Sequence, residues 1–211
     1  MKKTTSALVP LLILLALLAG CGGGGAGEST PAGKIEYKKG VLTETSFESE
    51  FIGIRFILPE GFVMATAEDI DEMMGIGAEI AGLDQKTVDY ANLTTVYEMM
   101  ASSPTGSPNV IVLAEKLVLR GITEDQYIKT LKEQLLSLSA MDYSFDDEIT
   151  SVNIAGKEYK KLTVSANANG VDIMQNYIIR KADNRMVGFI TTYTDDNTEA
   201  LDELMSGFSA Y

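Results

Sequence analysis

The one thiol of the chain, Cys21, follows Leu18-Ala19-Gly20, an apolar run from Ala7 to Leu18, and the two cations Lys2 and Lys3. A basic start, a short apolar segment and small residues ahead of a break point are what a secretory signal offers the export machinery. The run is too short and too early to read as a stable spanning helix. With no second cysteine in the chain, Cys21 has no intrachain disulfide partner. The chain also has no histidine, which excludes an imidazole base, a Ser-His-Asp or Cys-His nucleophile and a His-containing zinc site. Paired carboxylates are the substantial catalytic option left. A glycosidase sets two across a cleft and keeps one neutral by burial, but separation along the chain does not say which pair would converge. There is no tryptophan for sugar stacking. Tyr90, Tyr97, Tyr143 and Tyr177 could stack on a ligand, although tyrosine commonly lies half-buried at sheet edges.

Other clusters read more simply as structure. Asp142, Asp146, Asp147 and Glu148 form a dense acidic patch, but without calcium-loop spacing or its central glycine they read as solvated charges. Asp195 and Asp196 read as turn and cap residues. Gly75 and Gly77 lack the spacing of a nucleotide-phosphate cradle, and Gly75, Gly77 and Gly82 mark close packing or a loop ahead of the alternative, a ligand-facing bend. Met73-Met74 and Met99-Met100 are adjacent pairs. Strict alternation on a strand turns one of two neighbours outward, so Met73, Met74, Met99 and Met100 are assigned as a possible adaptable contact surface. No catalytic residue, cofactor or metal site is assigned, and the chain is read as a non-enzyme.

The Leu18-Ala19-Gly20-Cys21 tetrad resembles the lipobox of bacterial lipoprotein signal peptides. That resemblance implies a diacylglyceryl group on the Cys21 thiol, cleavage just before it, and a new amino terminus that can itself be acylated. Two or more acyl chains anchor durably where one binds marginally. The resulting division is a signal peptide over 1–20, a lipidated cysteine and flexible tether over 21–34, and one domain over 35–211. The location is the extracytoplasmic face of a bacterial membrane. Loss of Lys2 and Lys3 with the signal would make the net charge of −13 more negative still. Such a charge disfavours nucleic acid and anionic headgroups and holds the body off the membrane.

The elements follow from periodicity and punctuation. Residues 35–45 predict a hairpin or peripheral strand turning at Lys39-Gly40, and Ile54 to Leu58 a strand ended by Pro59-Glu60-Gly61. Thr66-Ala67-Glu68-Asp69 starts a glycine-weakened helix. Val88 to Ala101, starting as a loop or as β, and Asn109 to Leu119 predict a central hairpin. Thr123 and Gln126 form a capping box for a helix whose Tyr127, Ile128, Leu131, Leu135 and Leu138 make one apolar face. A meander follows, with turns at Gly156-Lys157, Asn169-Gly170 and Lys181-Ala182-Asp183-Asn184-Arg185. A last helix carries Leu201, Leu204, Met205 and Phe208 in one stripe. Patterned helices alternating with clustered strands predict an α+β layered sandwich.

The order of elements resembles the PsbP-like fold, on Gly53-Ile54-Arg55-Phe56-Ile57-Leu58-Pro59-Glu60-Gly61-Phe62, the helix from Thr123, the Val152–Tyr159 turn and strand, and the meander with its closing helix. Where the family usually has tryptophan, this chain has Phe62. The resemblance covers roughly 47–209 and implies an α/β/α sandwich with a mostly antiparallel central sheet flanked by helices. It also implies an adaptor or assembly role. The expected partners are therefore membrane lipid, through acylated Cys21, and a protein the sequence does not name, with no nucleic acid. The function read is a non-catalytic protein-binding or scaffolding module at the cell envelope. The alternative is a carboxylate-dependent hydrolase or a lipoprotein that binds a small ligand.

Overall fold

The computed structural model describes residues 36–80, 83–138, 142–146, 148–168 and 171–211. Cys21, the signal and tether, Gly82, Asp147, the Asn169-Gly170 turn and the side chain of Tyr90 lie outside the described set. In chain order the elements are β1 (Val41–Leu42), β2 (Ser46–Ser49), β3 (Ile54–Ile57), β4 (Val63–Met64), α1 (Ala67–Ile80), α2 (Gln85–Thr94), β5 (Thr95–Ser102) and β6 (Asn109–Lys116). They continue with α3 (Glu124–Ser137), β7 (Asp142–Phe145), β8 (Thr150–Ile154), β9 (Lys157–Ala168), β10 (Val171–Ala182), β11 (Arg185–Tyr193), a single 3-10 turn (Asp195–Asn197), α4 (Thr198–Ser206) and β12 (Phe208–Ala210).

Two antiparallel sheets result. The larger runs β4-β5-β6-β11-β10-β9-β7, with β8 also on β9, and the smaller runs β1-β2-β3-β12. β7 and β8 share one edge of the long β9: β7 lies opposite Val164–Asn167 and β8 opposite Lys157–Lys161. Alternation divides the central side chains between two cores. Val187 and Phe189 of β11 join Phe47, Ile54, Phe56 and Leu204 under the small sheet and α4. Met186 and Ile190 join Tyr127, Ile128, Leu131 and Leu135 under α3. Since both faces are covered, seven consecutive residues of β11 are buried, the pattern of a strand with no solvent side. The fold is α+β, an antiparallel central sheet flanked by helices, and the small sheet shares one face with α4.

Local chemistry explains the helix starts. The Thr123 hydroxyl accepts the Gln126 N–H at 3.3 Å while the Gln126 side chain accepts the Thr123 N–H at 2.9 Å, so two amides without helical partners are satisfied reciprocally. Thr66 and Asp69 make the same exchange ahead of α1, at 3.1 and 2.9 Å.

Three expectations change. Val88 to Thr94 is helix, with β structure beginning at Thr95: Asp84 caps α2 by accepting the Thr87 N–H at 2.8 Å, and Ala91 is buried with Val88 partly buried, a spacing of three that suits a helix. At the start, 36–40 is irregular, and the peripheral strand is only Val41–Leu42. At the end, Gly207 closes α4, so Phe208 leaves the helical stripe and enters β12 opposite Phe56.

Candidate functional site

A cleft of about 510 Å³ opens where α1 and α2 meet the edge of β5, lined by Asp71, Met74, Gly75, Val88, Thr95 and Tyr97 together with Lys39 and Val96. Its helical walls expose Ile76 and, farther along, Leu93, which is 83% accessible. At Gly75 an added Cβ would meet nothing within 4 Å, so this glycine faces open space and packing does not require it. Thr95 and Tyr97 line the strand side, and their hydroxyls are buried with no hydrogen-bond partner among the described residues. The cleft's one described carboxylate, Asp71, is exposed. Walls of methionine and valine, two hydroxyls and one rim charge of each sign suit binding better than proton transfer.

Two buried carboxyls, neither of them singled out by the sequence, stand on β5 and β6. Glu98 is at the irregularity in the β5–β6 register between Tyr97 and Met99 and is 0% exposed. It accepts the Tyr37 hydroxyl and the Gly40 N–H, each at 2.8 Å. Tyr37 also stacks under the Arg185 guanidinium, 3.5 Å from its ring centre, and meets Phe51 edge-on at 5.1 Å. Residues 36–40 thus form a strap across the sheet. Gly40 is required there, because a Cβ would stand 2.3 Å from the Phe47 ring. Burial raises the Glu98 carboxyl above its ordinary range, opposed by the Gly40 and Tyr37 hydrogen bonds.

Glu115, 3% exposed, accepts a short hydrogen bond from the Tyr127 hydroxyl of α3. Burial pushes its carboxyl up to about 7, with the Tyr127 bond opposing. Tyr37 belongs with the core under the small sheet and Tyr127 with the core under α3, so the two carboxyls are committed to opposite faces. They do not converge on a shared cleft.

The methionine pairs are placed differently from the contact surface expected of them. Met99 and Met100 are 0% and 2% exposed because the sheet is covered on both faces: Met99 packs under the small sheet and Met100 against Ile70, Met74 and Ile111. Met74 is buried at 7%, and only Met73 is partly exposed. The four residues therefore do not make one outward surface, although Met74 reaches the cleft. Tyr177 is fully buried and donates to Gln175 at 3.0 Å, and Tyr143 is half-buried. Asp142, Asp146 and Glu148 are exposed. Asp195 and Asp196 occupy the 3-10 turn before α4, where Thr194 N–H donates to Asn197 Oδ1 at 2.9 Å. Among the described residues no helix is long and apolar enough to cross a membrane.

No family model matches the chain, and no curated protein does. Among solved structures the chain is similar to the solution structure of cyanobacterial PsbP (CyanoP) from Synechocystis, at 12% identity and a TM-score of 0.45, over 92% of this chain and 99% of that one. It is also similar to the crystal structure of LpqN, involved in cell envelope biogenesis of Mycobacterium tuberculosis, at 11% identity and a TM-score of 0.42, over 74% of this chain and 82% of that one. At these identities and TM-scores neither likeness carries a partner, an activity or a site over to this chain.

Proposed function

We propose that the chain is a lipid-anchored, non-catalytic protein-binding or scaffolding module on the extracytoplasmic face of a bacterial membrane. In this reading residues 1–20 are removed, Cys21 is acylated, 21–34 is the tether, 35–211 is the binding domain and the cleft between α1, α2 and β5 is its contact site. The observation that supports binding over hydrolysis is the disposition of the carboxyls. Among the described residues the cleft presents one carboxylate, the exposed Asp71, while Glu98 and Glu115, whose pKa values are raised, are taken up by Tyr37 and Tyr127 on opposite faces. A carboxylate-dependent glycosidase, the hydrolase this composition leaves open, sets two carboxyls across one reacting bond.

The test is a pull-down from detergent-solubilised native membranes with the acylated protein, beside the Cys21→Ala chain and a Gly75→Leu chain that fills the cleft. The reading expects one stoichiometric protein recovered with the acylated form, reduced without the anchor and lost on filling the cleft, with the circular dichroism of Gly75→Leu unchanged. Recovery of no specific protein while acylation is intact, or full recovery by Gly75→Leu, overturns it.

A further inference from the structure

The cations are distributed unevenly over the molecule. No Lys or Arg occurs in 87–115, 133–156, 162–179 or 186–211. Those stretches supply the end of β5 and start of β6, the start of β7, the end of β9 and start of β10, and the end of β11. In an antiparallel sheet these termini fall together, so one end of the molecule carries Asp142, Asp172, Asp195 and Asp196 without a neighbouring cation in sequence.

The opposite end is organised around the turn from Ala182 to Arg185. Arg185 lies opposite Lys116 in register and its guanidinium covers Tyr37, which brings the strap with Lys38 and Lys39 to the same corner. The Leu117 N–H donates to the Asn184 carbonyl at 2.8 Å, and the Lys181 ammonium donates to the Ile122 carbonyl at 2.8 Å and to that of Arg120, fastening the segment after β6 beside the turn. The side chains left exposed are Lys38, Lys39, Lys116 and Arg120, with Val118 and Leu119 at 62% and 49% accessibility. Exposed acids lie among them: Glu36 and Asp183 in the same short stretches, Glu50 in one hollow with Lys38 and Lys39, and Asp71 beside Lys39. Clustered cations around an exposed aliphatic pair suit a headgroup region, where ammonium and guanidinium groups meet phosphates and short aliphatic side chains enter the acyl boundary.

We propose that this end docks on an anionic lipid bilayer, with Lys38, Lys39, Lys116 and Arg120 on the headgroups and Val118 and Leu119 inserted. The proposal rests on the lipid-anchored reading, and the chain's own geometry supplies the second argument for a bilayer. The described chain begins at Glu36, one residue before Tyr37 is pinned. On the lipid-anchored reading, the Gly-rich stretch between Cys21 and Glu36 would span about 20 Å as a coil, which would hold this corner at high effective concentration over the anchoring leaflet. The net charge of −13 would oppose approach if it were spread evenly. The twelve residues of β10 run about 40 Å from one end to the other, roughly five Debye lengths at physiological salt, so repulsion from the acidic end is screened out at the docking surface.

The experiment places a single environment-sensitive fluorophore on the acylated full chain through Leu119→Cys or, at the acidic end, Asp196→Cys. Acylation of Cys21 leaves the new thiol as the one to be labelled. Vesicles carry brominated quencher lipid in phosphatidylcholine, with or without phosphatidylglycerol. Docking predicts quenching at 119 and not at 196 in phosphatidylglycerol vesicles, reduced about tenfold by about 0.5 M salt or by combining Lys38→Glu, Lys39→Glu, Lys116→Glu and Arg120→Glu. Equal quenching at both sites, none at 119, or quenching at 119 indifferent to the charge reversals overturns it. The mass of Cys21 and vesicle flotation separate the two claims. An acylated, floating chain unquenched at 119 refutes docking alone, and an unacylated chain removes the anchor on which docking depends.

Discussion

Burial of Glu115 ties the stability of the protein to pH in a direction opposite to that of most carboxylates. Its folded pKa, raised from 4.5 to about 7, means that the folded state holds a proton which the unfolded state releases. The stabilisation this reflects is fully present below about pH 4.5 and is lost as pH rises through about 7. The difference is on the order of 3 kcal/mol. Glu98 is raised by the same cause and acts in the same direction, whereas Asp69 and Asp84, lowered by hydrogen bonds from Thr66 and Thr87, act only in the acid range. Urea unfolding should therefore show stability falling between pH 5 and pH 7.5, with a shallower fall in Glu115→Gln, which keeps an acceptor for Tyr127. A pH-independent midpoint would contradict the protonated assignment. Tyr37→Phe leaves one Glu98 oxygen without its donor in a residue that is 0% exposed. It should lower stability by about 1–3 kcal/mol with the ring still under Arg185, read from the urea midpoint. The sequence did not disclose either carboxyl. Glu98 depends on a partner 61 residues away, and Glu115, next to Lys116 at the end of an apolar strand, reads as the point where the chain returns to water.

The elements were legible where local chemistry and tertiary packing agree. α3 is the clearest case, since its cap, its acidic first turn and its apolar stripe all specify the same helix. Thr123→Ala should cost about 1 kcal/mol, measured as a lower melting midpoint, and Thr123→Ser should retain most of the stability. The same reading missed α2, where valine, tyrosine and threonine carry β preference while the Asp84 cap and burial at Ala91 select helix. It also placed Phe208 in a helical stripe, because position 208 continues the spacing of 201, 204 and 205. Gly207 ends the helix against the Ile57 carbonyl, where a Cβ would stand at 2.5 Å. The cleft was legible only through Met74, Gly75 and Tyr97, taken singly, for its other wall is a strand edge that the sequence assigned as a long hairpin arm.

For the molecule as a whole, charge and chain ends share one axis, with cations gathered where the described chain begins and acids at the far end. That polarity is invisible in the net charge and appears only when the cation-free stretches are laid on the antiparallel order. The chain also closes on itself. β12, from the last residues, pairs with β3, and Phe208 stacks on Phe56 and Phe189 with centroids 4.6 and 5.1 Å apart. A chain emerging amino terminus first, from a ribosome or a translocation pore, therefore carries β1, β2 and β3 without their last partner strand until Phe208–Ala210 arrive. The edge of β3 stays unpaired meanwhile, and an unpaired edge invites pairing with other chains. Deleting residues 207–211 should leave the segment 41–57 sensitive to limited proteolysis while α3 and the meander resist, and equal protection of both regions would show that the small sheet closes without β12. The small sheet is thus sealed only after segment 208–210 has joined β3, and any holding factor that meets this chain has its task defined by the interval between those two strands.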